Sequence, residues 1–402
     1  MQITSIKSMN DNEIKLSIPT IGFDMPIIDL IMELEKLRYK HLHGSTHPLV
    51  FMQLKSLFHM LESIGSSRIE GNNTTILDYV ESAKLNTTEP IDNAKEQIRE
   101  ITNIENAMRY LEENIDDLEI SVHLIRELHQ LTVDSLNANR EGALHPGAFR
   151  NQNVHINGST HVPPAFSAVE YYMGELIDFI NREDPPKYDL LKIAIAHHRF
   201  VWIHPFENGN GRVVRLFTYA MLLKKIFRDK NRIINPTAVF CSDRQAYYDN
   251  LSAADSGDAS GMIQWAEYML EGLKCEIEKI DQLCDYSFLR QNILLPSLTD
   301  AVSKRYLTQL QSMVLKQAIC SETQELVSSD LVTILPSMSA SNRSRLISSM
   351  KDQGLLIPVQ RNGRKYVISF SNNYWMRSVL ATLDKLGFLP VNEKYRTRET
   401  KS

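Results

Sequence analysis

Cysteine is scarce in this 402-residue chain: the four present are Cys241, Cys275, Cys284 and Cys320. They are scattered without Cys-x-x-Cys spacing, which excludes a disulfide framework and a thiolate zinc site and sets the expectation of a reducing compartment. No run approaches the roughly 18 apolar residues that would span a membrane. Met1 to Leu16 lacks the apolar core of a secretion signal. A cytoplasmic protein with no membrane partner is therefore expected. Neither sign of charge dominates, with 44 Lys and Arg against 49 Asp and Glu for a net charge of −5. A chain that binds polyanions along its whole length is thus excluded, and any such contact must come from a local patch. Internal repeats and low-complexity tracts are also missing. What remains is 43% hydrophobic residues over 402 positions, enough for two to three globular domains with sizeable cores.

The densest chemistry lies at His204-Pro205-Phe206-Glu207-Asn208-Gly209-Asn210-Gly211-Arg212-Val213-Val214-Arg215. This stretch sits between two apolar helical runs, Leu190 to Ile203 and Leu216 to Ile226. A glycine-rich turn opening a helix presents backbone N–H groups and the positive end of the helix dipole, which suits phosphate. Arg212 and Arg215 share a helical face over that turn, and guanidinium forks match phosphate oxygens. His204 can carry a proton near neutral pH. Each piece alone has a bland reading as a structural histidine, a turn or a solvated helix face. Together they answer one need, the positioning of a phosphate for phosphoryl or nucleotidyl transfer.

The stretch resembles the signature of the Fic (Fido-domain) family, His-Pro-Phe-x-(Asp/Glu)-Gly-Asn-Gly-Arg-x-x-Arg, and His197, Phe200 and Ile203 extend the match upstream. The resemblance implies a mostly α fold: a Fic helical core with a β-hairpin flap. It implies a protein adenylyltransferase in which His204 is the general base, moving AMP from ATP to a Ser, Thr or Tyr hydroxyl of a target protein. Asn208, Gly209, Asn210, Gly211, Arg212 and Arg215 would hold the nucleotide. Where the kinase-like branch of the family has Lys, this chain has Gly211, which favours AMP transfer. The acidic position of the signature is Asn208 here. In the family that carboxylate binds the Mg²⁺ bridging the phosphates, so the expectation is a weakened site at Asn208 for Mg²⁺ or Mn²⁺.

Further motifs gain meaning beside the first. Ser66-Ser67-Arg68-Ile69-Glu70-Gly71-Asn72 resembles the family's inhibitory helix, (Ser/Thr)-x-x-x-Glu-(Gly/Asn). That resemblance implies that Glu70 pairs with Arg215 and withholds it from ATP, with Ser66 and Gly71 completing the motif. Residues 149–164 read as a short hairpin around Val154, Ile156 and Asn157-Gly158. By resemblance this is the flap, with Gly158, Ser159, Thr160 and His161 beside the nucleotide and an exposed edge to which an extended target segment could add. No carboxylate or cysteine completes a metal ligand set with His155 and His161. Tyr247 and Tyr248 match a tyrosine pair that walls the family's nucleotide pocket, and Asp255 matches a position that meets the adenine, commonly Asn.

Helices are expected over Pro26 to Lys40, Pro48 to Ile64, Asp92 to Glu113, Ser121 to Leu136 and Met262 to Leu283. The domain reading is an N-terminal helical region over 1–120 with the inhibitory helix near 60–71, a Fic/Fido domain over 121–270, a helical linker over 271–296, a winged helix-turn-helix-like domain over 297–372, and a C-terminal helix and tail over 373–402. Leu294-Leu295-Pro296-Ser297 reads as a hinge. Helices over Thr299 to Ala318, Glu325 to Leu335 and Ala340 to Gln353 precede a hairpin turning at Asn362-Gly363. Arg343, Arg345, Lys351, Arg361, Arg364 and Lys365 stand there against Asp352 alone, a basic patch suited to DNA or to a protein partner. A homodimer is a further partner expectation. The second functional reading is a nucleotide-sensing, DNA-binding transcriptional regulator with weak or no transferase activity.

Overall fold

A computed structural model describes residues 16–39, 45–82, 93–156, 158–227, 233–371 and 373–389. The chain is mostly helical, and a two-stranded antiparallel sheet is the one sheet among the described residues. In order, the helices are α1 (Pro26–Tyr39), α2 (Pro48–Ile69), α3 (Ile76–Ser82), α4 (Asn93–Asn114), α5 (Val122–Val133), α6 (Val169–Asn181), α7 (Asp189–Ile203), α8 (Asn210–Met221), α9 (Pro236–Ser242), α10 (Arg244–Ala254) and α11 (Ala259–Cys284). After them come α12 (Tyr286–Phe288), α13 (Leu295–Ser303), α14 (Gln309–Cys320), α15 (Leu331–Ile334), α16 (Ala340–Asp352), the strands β1 (Leu356–Pro358) and β2 (Tyr366–Ile368), and α17 (Trp375–Lys385). None of the described helices is long and apolar enough to cross a membrane.

The chain divides into two compact units. The first takes the described residues within 1–39, 111–228 and 243–274. Its centre is α8, where ten of the side chains from Arg212 to Met221 are buried without interruption. A helix buried on every side must be enclosed by neighbours, and α5 and α7 pack against it, with α6 beyond them. α5 starts because the Ser121 hydroxyl accepts from the Leu124 N–H, the usual relief for an orphan first-turn donor. It buries Leu124, Ile125, Leu128 and Thr132 along one stripe. α11 is keyed to α7 by Trp265, fully buried, whose Nε1–H donates to the Ala194 carbonyl at 2.7 Å.

The second unit takes the described residues within 40–110, 229–242 and 275–402. Here α2 packs against α9, and Glu62 Oε1 accepts from the Thr237 N–H at 2.7 Å. β1 and β2 pair with Leu356 opposite Ile368 and Pro358 opposite Tyr366. Gln53 of α2 is bonded to the chain at the end of β2: its Nε2 donates to the Ile368 carbonyl and its Oε1 accepts from the Phe370 N–H, both at 3.0 Å. Trp375 of α17 is fully buried and donates to Ser297 Oγ at 2.9 Å.

The structure departs from the sequence expectation in four places. Among its described residues the flap segment carries no strand; the Ser159 N–H donates to the Ile156 carbonyl at 3.2 Å. Asn157 itself lies outside the described residues. The Leu294 to Ser297 hinge is helical, because a π-helical stretch at Leu289–Leu294 precedes Pro296 in the first turn of α13. A π-bulge of this kind absorbs the hydrogen bond that proline cannot donate. The helix over Thr299 to Ala318 is broken at Arg305, which turns left-handed with φ 60°, and restarts at a capping box of Thr308 and Gln311. The helix over Glu325 to Leu335 is mostly lost. Leu326 instead exchanges backbone hydrogen bonds with Tyr366, so a tertiary pairing overrides local propensity and only Leu331–Ile334 stays helical.

Trp375→Ala removes a fully buried indole, and the expected cost is about 3–5 kcal/mol. Urea denaturation monitored by circular dichroism checks it, with the loss expected in the transition of the second unit.

Candidate active site

The site is built where α7 ends and α8 begins. His204 caps α7 with φ 49° and ψ 62°, a left-handed conformation that costs a non-glycine residue about 1–2 kcal/mol. Arg150 compensates. Its guanidinium is buried and surrounded by carbonyls: Nε donates to His204 O at 2.9 Å, Nη1 to Gln152 O at 3.0 Å, and Nη2 to Pro164 O at 2.6 Å and Ile203 O at 3.4 Å. The Arg150 N–H also donates to Pro205 O at 2.9 Å. One side chain thus fixes the His204 turn and both arms of the 152–164 segment. Burial alone lowers its pKa from the ordinary arginine value. Arg150 stood in the sequence only as the start of the flap; arginine in a flanking loop gives no signal of the carbonyls that converge on it.

The turn from Phe206 to Asn210 is closed by one amide. Asn210 Oδ1 accepts from the Phe206 N–H at 2.9 Å and its Nδ2 donates to the Phe206 carbonyl at 2.8 Å. Asn210 therefore shapes the turn, with both ends of its amide occupied. Gly209 is the N-cap of α8 at φ 77°, and an added Cβ would stand 3.3 Å from Val133 Cγ1, so both conformation and space favour glycine there. Gly211 follows in the first turn of α8, where backbone N–H groups lack intrahelical partners.

His129 lies under this turn and was not singled out in the sequence, where it looks like one more residue on the buried stripe of α5. Its ring stacks on Phe206 with centroids 3.9 Å apart. The Gly147 N–H donates to its Nδ1 at 2.8 Å. The proton of a neutral ring then belongs on Nε2, which lies 3.3 Å from the Asn208 carbonyl and donates to it. Burial, helped by the positive charge of Arg212, pushes its pKa down to about 4.

Arg212 and Arg215 are both buried, at 0% and 2% exposure, so neither belongs to a solvated helix face. Arg212 Nη2 donates to Glu141 O at 2.8 Å and pairs with Glu141 Oε2 at 3.0 Å. Asn208 Nδ2 donates to the neighbouring Gly142 carbonyl at 2.9 Å, which leaves Oδ1 as the one side-chain oxygen Asn208 could turn toward a cation. No group of three His, Cys, Asp or Glu able to hold a metal ion occurs among the described residues. A lone neutral amide oxygen does not fit a resident hard dication, which needs several oxygen ligands, usually with negative charge among them.

Of the flap residues, Gly158 has φ 78°, Ser159 Oγ accepts from the His161 N–H at 3.1 Å, Thr160 is exposed, and His161 Nε2 lies 2.8 Å from the Trp202 carbonyl. The tyrosine pair divides. Tyr247 is buried, its hydroxyl 2.9 Å from His197 Nε2, while Tyr248 is 39% exposed with the Arg244 guanidinium over its ring. The Thr218 hydroxyl donates to the Val214 carbonyl and so accepts from His197 Nδ1 at 2.8 Å. Burial lowers the His197 pKa well below the ordinary value, which favours the neutral ring. Asp255 Oδ1 lies 2.9 Å from His198 Nε2. In the second unit, Ser66 is buried near the end of α2. Glu70 is the C-cap of that helix, and Gly71 stops it at φ 103° in the left-handed conformation typical after a helix end.

Residues 119–222, which hold His129, Arg150, His204 and both arginines of α8, match the profile of the Fic/DOC family. The chain carries a Fic/DOC-family domain. Among curated relatives, it is 28% identical over 207 residues to the protein adenylyltransferase Fic of Nematostella vectensis, covering 50% of this chain and 44% of that protein. It is 28% identical over 258 residues to the protein of the same name from Drosophila willistoni, covering 63% of this chain and 47% of that one. The chain thus spans less than half the length of these relatives. A crystal structure of a Fic family protein from Desulfovibrio desulfuricans G20 superimposes with a TM-score of 0.52 at 21% identity, covering 88% of this chain and 98% of that one. That likeness is one of fold.

Two outcomes follow for the Fic domain. The His129 pKa falls from 6.5 in the unfolded chain to about 4 when folded. Its contribution is therefore complete above about pH 6.5 and is lost as the pH falls toward 4, on the order of 3 kcal/mol for a shift of that size. Denaturation midpoints from pH 7 to pH 4 should show this slope, and His129→Gln should flatten it. Arg150→Lys leaves one ammonium among carbonyls arranged for a planar fork, with an expected cost of about 2–4 kcal/mol. Hydrogen exchange should then accelerate at 152–164 and 203–205 together.

Proposed function

We propose that this protein is an adenylyltransferase that moves AMP from ATP to a hydroxyl of a protein target. The observation that carries the reading is His204, held in a left-handed turn directly before a glycine-opened helix with two buried arginines. The Phe206 to Gly211 turn receives the phosphates on backbone N–H groups at the start of α8, and Arg212 and Arg215 neutralise their charge. The target oxygen attacks the α-phosphorus, the bond to the β-phosphate oxygen breaks, pyrophosphate leaves, and His204 takes the hydroxyl proton. ATP enters as its Mg²⁺ or Mn²⁺ complex, with the ion carried by the phosphates. The 152–164 segment holds an extended target strand by main-chain hydrogen bonds, with Gly158, Ser159, Thr160 and His161 near the nucleotide. Tyr248 and Asp255 lie toward the base.

Glu70 acts as a brake in this reading. Its carboxylate competes with the γ-phosphate for Arg215, as the motif from Ser66 to Gly71 suggests. The scattered cysteines fit a cytoplasmic location. A regulator that merely senses nucleotide would need the turn and the arginines but not the imidazole of His204.

Incubation with α-labelled ATP and Mg²⁺ or Mn²⁺ separates these readings. Glu70→Gly should raise covalent label on the protein or on lysate proteins at least about tenfold, the size expected when a charged competitor for a phosphate-binding arginine is removed. Adding His204→Ala should abolish it. Label that persists without His204, or none with either metal, rejects the transferase reading.

A further inference from the structure

The basic segment of the second unit takes no part in that chemistry. α16 buries Ile347 and Met350 and exposes Ser341, Asn342, Ser344, Arg345, Ser348 and Ser349, a face of small polar side chains with one cation at its centre. The chain then enters the β1–β2 hairpin, whose tip is closed by Gly363 N–H to Gln360 O at 2.8 Å and Val359 N–H to Lys365 O at 2.9 Å. That tip exposes Arg361, Arg364 and Lys365. Some of the local cations are engaged: Lys365 pairs with Glu325 at 2.7 Å, Lys351 lies 4.0 Å from Asp352, and Arg343 Nη1 donates to the Met338 carbonyl. Among the described residues, Arg345, Arg361 and Arg364 have no ion pair. They stand in a chain whose overall charge is negative.

We propose that the exposed face of α16 and the tip of the β1–β2 hairpin form a docking surface for duplex DNA. Charge selects a polyanion, since three exposed guanidiniums with no carboxylate partner among the described residues leave this surface positive. Shape selects the duplex. A helix of 13 residues is about 20 Å long, and its serine-lined face is narrow enough for the major groove of B-form DNA, whereas the A-form RNA groove excludes side chains. Asn342 and Arg345 are of the types that read adenine and guanine edges, while Arg361 and Arg364 would meet the phosphates beside the groove. Exposed aromatic rings, on which single-stranded bases stack, are missing from both α16 and the hairpin tip.

The test needs no nucleotide transfer. Fluorescence anisotropy of a labelled mixed-sequence duplex of about 21 base pairs, two helical turns, is titrated with the full chain at several salt concentrations. Binding is expected with a slope of log affinity against log salt of about −2, one unit for each of Arg361 and Arg364 at the phosphates. The triple variant Arg345→Ala, Arg361→Ala, Arg364→Ala should weaken binding at low salt by at least about tenfold and bring the slope near zero. All three side chains are exposed, and unchanged circular dichroism would show that the fold is intact. No anisotropy change at low salt overturns the proposal, as does binding that the triple variant leaves intact. Tighter binding to the single strand overturns it, and so does competition by anionic phospholipid vesicles at matched charge, which would assign the surface to a membrane.

Discussion

The Fic domain depends on one buried cation. Arg150 carries a charge into a place where burial disfavours it, and it is tolerated because carbonyls from Gln152, Pro164, Ile203 and His204 converge on it. Unmatched, such a charge would cost several kcal/mol. Matched, it couples segments far apart in sequence. The left-handed backbone at His204 persists because the surrounding structure holds it there. The same guanidinium grips both arms of the segment proposed to receive the target. Nucleophile and base would then be registered to one another through one side chain that holds the backbone on both sides.

Around that anchor the domain uses neutral imidazoles as fixed spacers. His129 and His197 are buried, with both ring nitrogens engaged. Each has its tautomer set by its partners, and each is kept uncharged by burial. A protonated ring at either place would add positive charge beside Arg212 or Arg215. Neutral rings leave the arginines as the fixed charges of the turn, which is the arrangement a polyanionic ligand requires. Glu141 on Arg212 keeps that guanidinium oriented and compensates its buried charge.

The second unit follows a different logic. Its core gathers α2, α13, α14, α16 and α17 around the short β1–β2 pair, and polar staples such as Gln53 on the β2 backbone fix the register. Two features of that unit carry charge to the surface, the end of α2 at Glu70 and the arginines of α16 and the hairpin.

Sequence alone determined the helical class, the boundaries of α1, α4, α7 and α16 to within a residue or two, and the identity of the turn from His204 to Arg215. These are local properties, set by apolar periodicity and by residue types whose chemistry converges within a few positions. Tertiary structure decided the rest. The flap turn has no ladder of its own because its edges lack a partner strand, and Leu326 left its helix because Tyr366 offered backbone hydrogen bonds from 40 positions away. The uncharged state of His129, the carbonyl cage of Arg150 and the burial of Arg212 depend on groups brought together from distant parts of the chain. No spacing rule encodes such convergence, because burial and hydrogen bonding at a point in space depend on every segment that reaches it.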